Sequence, residues 1–199
     1  MAPTGVALRD VRRQLFDAAE RVLLRSGPSA LTSRAVTDEA GVAKGVLHRH
    51  FADFDAFLAE LVLDRIARQE ERAVALRAAA GTGTVTGNLA AALTELFESV
   101  AVAVVALITS RDPLRARLRA AGRPGIPLLT EATAAIAAYL TAERALGRLA
   151  PDTDVDTLAP TLTGAAHLLF ADREGGTPGE EAVRRVVDAV VGGAVRSAG

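Results

Sequence analysis

Apolar residues recur at helical spacing along most of the chain. Val11, Leu15, Ala19, Val22 and Leu23 form one stripe, which ends at Gly27-Pro28, a pair that stops a helix. Thr32 is placed to cap a short second helix, Ser33 to Ala40, closed by Gly41. A third short helix is expected from about Ala43 to His50. Asp53 can cap a long fourth helix that carries Phe57 and Leu61 and runs to about Ala80. Gly81 to Gly87 is small and polar and reads as a loop. Its GxG precedes no strand–helix unit, so it is not a nucleotide site. A fifth helix, about Leu89 to Thr109, becomes apolar on every face after Val100, which implies burial. Asp112-Pro113 fits a cap followed by proline at the first helical position, opening a sixth helix that Gly122 to Pro127 breaks. The seventh helix covers Leu128 to Leu146. The eighth covers 156–172, interrupted or bent near Pro160. Gly175 to Gly179 is a loop, and the ninth helix carries Val183, Val186, Val187, Val190 and Val191. No period-2 alternation is long enough for a strand, and there is no internal repeat. The pattern predicts an all-α fold of about nine helices, with a three-helix head over residues 1–52 and a helical body over 53–199.

Composition narrows the function classes. Half of the 199 residues are hydrophobic, enough for a sizeable core. The absence of cysteine excludes disulfides and thiolate-held metal and agrees with a reducing cytoplasm. Met1 to Asp10 lacks the apolar stretch of a signal peptide. Val100 to Ile108 is about half the ~20 residues a membrane span needs. Charge is uneven: residues 1–51 carry eight Lys/Arg against five acids, a balance of +3 in a chain whose net charge is −1. A cationic end on an acidic body fits a nucleic-acid-binding head. Two of the three histidines fall in the third helix and no nucleophile–base–orienter set is discernible, so neither catalytic residues nor a cofactor are expected. Residues two apart on a helix diverge by about 200°, so His48 and His50 are not expected to share a metal ion.

The informative stretch runs from Leu31 to Phe51. Two short helices meet across a tight turn at Gly41-Val42, with Val36, Ala40, Val42 and Leu47 available for their shared core, which is the economy of a helix-turn-helix. With Gly, Thr-Ser-x-x-Val, Ala-Gly-Val, x-Lys-Gly-x-Leu and His-Phe at fixed offsets, residues 9–60 resemble the N-terminal domain of TetR-type (tetracycline-repressor-like) transcriptional regulators. The resemblance implies that Arg34 and Lys44 reach base edges and that Gly45 and Val46 lie where the backbone nears the DNA. It implies that Ser33, His48, Arg49 and His50 meet phosphates or edge bases of double-stranded operator DNA. The chain departs from the family at Ala43, which cannot cap the third helix, and at His48, where tyrosine is usual. It departs again at Phe54, where a lysine is frequent.

The resemblance also implies a homodimer and an effector cavity in the body. Leu158, Leu162, Ala165 and Leu169 of the eighth helix, with Val183, Val186, Val187, Val190 and Val191 of the ninth, are the expected dimer seam. Leu61, Leu96, Val100, Val104, Leu129, Thr133, Ile136 and His167 are the expected pocket lining. With one tyrosine and no tryptophan, that pocket is expected to be aliphatic, with sparse hydroxyls from Thr94, Ser99, Thr133 and Thr163. These implications amount to a cytoplasmic, ligand-released repressor that binds a palindromic operator and no membrane. The alternative is a helical sensor or carrier whose head has lost DNA binding.

Overall fold

A computed structural model describes residues 5–97, 100–172 and 176–196. Among these residues there are ten α-helices and no β-strand, only an isolated antiparallel bridge between Leu149 and Val195. Two compact units emerge. The first joins the residues up to Asp64 with 103–127; the second joins 65–102 with the residues from Leu128 onward.

The first unit contains α1 (Gly5–Ser26), α2 (Ser33–Glu39), α3 (Val46–His50), the start of α4 (Phe54–Ala78), most of α6 (Ala101–Thr109) and α7 (Asp112–Ala120). The predicted stripe of α1 is its buried face: Leu15, Ala19, Val22 and Leu23 are inaccessible or nearly so. Thr32 caps α2 as expected, its hydroxyl accepting the Ala35 N–H at 3.1 Å, and Asp53 accepts the Ala56 N–H at 2.7 Å to start α4. Phe16, Phe51 and Phe57 pack with ring centroids 5.0–5.9 Å apart, which fixes the end of α3 against α1 and α4. Arg12 reinforces that joint. It lies 4.5 Å over the Phe51 ring, donates to the His50 carbonyl at 3.3 Å and pairs with Glu60. On α7, Leu114 and Leu118 are buried, Arg111 pairs with Asp55 at 2.6 Å and Arg117 pairs with Asp53.

The second unit contains the rest of α4 with α5 (Val85–Phe97), α8 (Leu129–Ala145), α9 (Val155–Ala171) and α10 (Glu180–Val191). Leu89, Leu93 and Phe97 of α5, Ile136 and Leu140 of α8, Leu162 and Phe170 of α9, and Val183, Val187 and Val191 of α10 make one core. A polar network closes one end of it. Glu143, fully buried, accepts the Gly81 N–H and faces Arg148 at 3.4 Å. Arg148 in turn donates to the carbonyls of Thr82 and Gly83. Tyr139 donates to Glu143 and accepts from the Asn88 amide at 3.0 Å. Burial, with the Glu143 carboxylate beside it, pushes the phenol far up and keeps it neutral.

Four expectations are corrected in detail. The single fifth helix is two, α5 and α6, with Val100 in a turn. The break falls where an amphipathic stretch meets an all-apolar one, with no glycine or proline to mark a stop in the sequence. α3 begins at Val46 rather than Ala43, because alanine offers no capping oxygen. The segment instead enters the helix through a tight turn in which the Val46 N–H donates to the Ala43 carbonyl at 2.9 Å. At α7 the cap position is Arg111, and Asp112 is the first helical residue, paired with Arg115. α9 runs unbroken through Pro160. Both Pro160 and Asp156 are exposed, so water can satisfy the Asp156 carbonyl that lacks an N–H partner. Gly175 of the last expected loop and Ser99 lie outside the described residues.

Candidate functional site

The turn between α2 and α3 depends on Gly41. Its φ of +67° lies in the left-handed region, where a side chain is costly. Gln14 of α1 donates to the Ala40 carbonyl at 2.8 Å, and the Thr37 hydroxyl, fully buried, donates within α2 to Ser33 and Arg34 carbonyls. Arg21 and Arg25 hold Glu39 at 2.7 and 2.8 Å, and these two cations pull its carboxyl below its ordinary value. Leu47 is the α3 residue turned wholly inward, at 0% exposure. A frame secured on three sides therefore holds out a short basic segment.

On that segment Lys44, Gly45, His48 and Arg49 are exposed, whereas Val46 and His50 are half-buried. Lys44 and Arg49 have no ion pair among the described residues. Arg34 is 74% exposed and reaches Asp38 at 3.4 Å one turn along α2, while Ser33 is half-buried. The eight residues assigned to DNA thus fall on two consecutive short helices and the turn joining them. Gly45 has a right-handed φ of −77°, so its backbone does not require glycine, and a Cβ there would meet nothing within 4 Å. The segment can donate hydrogen bonds and supply positive charge to an anionic polymer.

The second unit holds a cavity of about 220 Å³ among α4, α5 and α8. Gln69, Arg72 and Leu76 come from α4, Asn88, Glu95 and Leu96 from α5, Ile136 from α8, and alanines of all three helices supply much of the remaining wall. Leu96 and Ile136 are the two expected lining residues found there. Val100 is buried in the same unit, whereas Leu61 and Val104 are fully buried in the first. Leu129 is half-buried. The Thr133 hydroxyl is spent on the Leu129 carbonyl at 2.8 Å and on Thr163 at 3.1 Å. His167 packs on Phe97 at 5.9 Å, and burial pulls its pKa below the ordinary value. The residues that sequence reasoning missed, Gln69 and Arg72 above all, sit on a stretch of α4 that looks like an ordinary solvated helix face. The alanine positions look like mere helix formers.

Residues 15–61 match the family model described as bacterial regulatory proteins, tetR family. The head is therefore similar to the DNA-binding head of the tetR family. No curated protein matches the chain. Solved structures do. A putative tetR-family transcriptional regulator from Mesorhizobium loti superposes with a TM-score of 0.68 at 16% identity, covering 96% of each chain. The reduced form of E. coli NemR gives 0.74 at 16% identity, covering 94% of this chain and 98% of that one. Bacillus subtilis FadR in complex with stearoyl-CoA gives 0.68 at 18%, covering 91% and 98%. At these identities the likeness is one of fold, and it covers more than nine-tenths of the chain.

The second unit redistributes the residues expected at a dimer seam. Leu162, Val183, Val187 and Val191 are buried in the chain's own core. The spacing of the three valines is that of α10's inward stripe. Leu158, Ala165, Leu169, Val186 and Val190 are half-buried beside it. The outward face of α9 is formed by Thr157, Thr161, Gly164 and Leu168, the last 73% exposed. Among the described residues no single helix is long and apolar enough to cross a membrane.

Proposed function

We propose that this chain is a ligand-responsive transcriptional regulator, a repressor that binds a palindromic operator as a homodimer. A small, largely apolar molecule releases it. The observation that carries this reading is the outward-facing segment Lys44-Gly45 with His48 and Arg49, held on a tetR-type frame beside the exposed Arg34. Arg34 and Lys44 are the base readers, since both commonly donate to guanine O6 and N7 in the major groove. Ser33, His48, Arg49 and His50 meet phosphates or flanking bases, and Gly45 and Val46 mark the closest backbone approach. Residues 1–52 act as the DNA-binding head and 53–199 as the effector-binding and dimerising body.

A short helix-turn-helix gains useful specificity by reading two half-sites, which supports a dimer. The half-buried Leu158, Ala165, Leu169, Val186 and Val190, with the small uncharged face of α9, are the surface we assign to it. A cytoplasmic location goes with this role. An apolar effector is supported by the alanine- and leucine-lined cavity, and by the stearoyl-CoA bound to the Bacillus subtilis FadR whose fold this chain shares. Binding the effector shifts the population toward a form that no longer fits both half-sites.

A mobility-shift titration against the DNA upstream of the chain's own coding sequence tests the reading. Wild type should shift a discrete fragment, Lys44→Ala should weaken it at least tenfold, and removal of one phosphate contact at Arg49 should flatten the salt slope by about 0.9. The second reading, a sensor with a degenerate head, draws on the five-residue, uncapped α3. It predicts no sequence-specific shift at any salt concentration.

A further inference from the structure

The cavity of the second unit contains a group with unfinished chemistry. Gln69 is 6% exposed and forms part of the wall. Its Nε2 donates to the Leu128 carbonyl at 2.9 Å, which sets the orientation of the amide; the flipped form would face oxygen to oxygen. Oε1 is left buried with no hydrogen-bond partner among the described residues. Buried acceptors in native proteins are nearly always satisfied, so an orphan on a residue of the cavity wall marks a place where a donor is missing. The amide is also not free to turn away. Leu128 is held at φ +73°, a conformation a leucine adopts only under constraint, by Gln69 on its carbonyl and by Glu131 on its N–H at 2.7 Å.

The rest of the wall defines what would carry that donor. Alanines of three helices with Leu76, Leu96 and Ile136 offer only apolar contact. The two charged residues on the wall, Arg72 and Glu95, pair with each other at 3.0 Å, so neither calls for an ionic guest. A carboxylate would bring an acceptor against an acceptor and bury a charge. An apolar cavity of about 150 Å³ holds benzene, and scaling to about 220 Å³ gives room for about nine non-hydrogen atoms.

We propose that this cavity takes a small neutral molecule with one hydroxyl on an apolar body, the hydroxyl donating to Oε1 of Gln69. The assignment rests on the effector-binding reading of the body and makes it chemically specific. Calorimetry on the full chain without DNA separates the two. The probes are 2-phenylethanol and its isomer benzyl methyl ether, equal in size and differing in the donor. Wild type should bind the alcohol about tenfold more tightly than the ether, and Gln69→Leu should erase that preference. Ala92→Phe, which narrows the cavity from α5 and leaves Gln69 in place, should weaken both probes. It keeps the test decisive even if Gln69→Leu fails to fold.

Equal affinities in wild type would overturn the assignment, as would a preference that survives Gln69→Leu or the absence of binding by either probe. If the alcohol binds in the cavity but leaves the operator complex intact, the release step of the regulator reading fails while the ligand class stands. A normal operator shift with no alcohol binding does the reverse.

Discussion

Gly41 and Gly45 lie four residues apart, and replacing each by alanine should move stability in opposite directions. Gly41 sits at φ +67°, and an added Cβ would meet no atom within 4 Å, so the whole penalty is backbone. For a left-handed alanine that is about 1–2 kcal/mol. Gly45 sits at φ −77°, also with open space around the missing Cβ. Alanine there fits the native backbone and restricts the unfolded chain, a gain of about 0.4–1 kcal/mol. At about 2–4 °C per kcal/mol for a chain of this length, Gly41→Ala should melt roughly 2–8 °C lower and Gly45→Ala roughly 1–4 °C higher. Thermal and urea unfolding followed by far-ultraviolet circular dichroism read both. DNA affinity should not follow stability at Gly45. A methyl group between Lys44 and Val46 stands where the backbone is proposed to near the operator, and a loss of only about 1.4 kcal/mol is already tenfold in affinity. Fluorescence anisotropy with labelled operator measures it. A Gly45→Ala protein that is more stable and binds as wild type would refute the close-approach argument. A Gly41→Ala protein of undiminished stability would refute the turn geometry.

Arg148→Ala strips the fully buried Glu143 of its cation and should cost about 3 kcal/mol. Adding Glu143→Gln should recover part of that loss in a double-mutant cycle. His167 titrates below its ordinary value of 6.5 because it is buried, so the unfolded chain takes up a proton that the native chain refuses. Stability should therefore decline as pH falls below about 6.5, and His167→Leu should flatten that limb of the pH–stability curve. Asp53 lies below its ordinary 3.8, chiefly through the Ala56 N–H and then through Arg117. Its contribution is present above that pH and lost as the solution becomes more acid, and Asp53→Asn should remove this acid-dependent part.

Local chemistry makes much of the fold readable in the order of residues alone. Thr32, Gly41 and Asp53 each act within three or four residues of their own position, and a cap or turn with so short a reach leaves its mark in the sequence. The stripe of α1 is legible because one face is buried and the other is not. Long-range facts are not. The break after Phe97 falls at Glu98-Ser99-Val100, where neither glycine nor proline marks a stop, and the late start of α3 follows from what Ala43 lacks. The cavity is the least legible feature. Much of its wall is alanine, which carries no signature, and the orientation of its Gln69 amide depends on Leu128, 59 residues away. The valines of α10 show the ambiguity from the other side: an inward stripe and a partner-facing stripe have the same spacing, and only burial separates them.

Tyr139 gives the molecule an optical use. It is the only tyrosine in a chain without tryptophan, so near-ultraviolet excitation beyond the phenylalanine bands addresses a single known point. That point is bonded to Asn88, whose side chain also belongs to the cavity wall. A guest that disturbs Asn88 changes the emission and near-ultraviolet dichroism of this one phenol. Cavity occupancy can then be followed in the unlabelled protein, with no dye, tag or introduced residue.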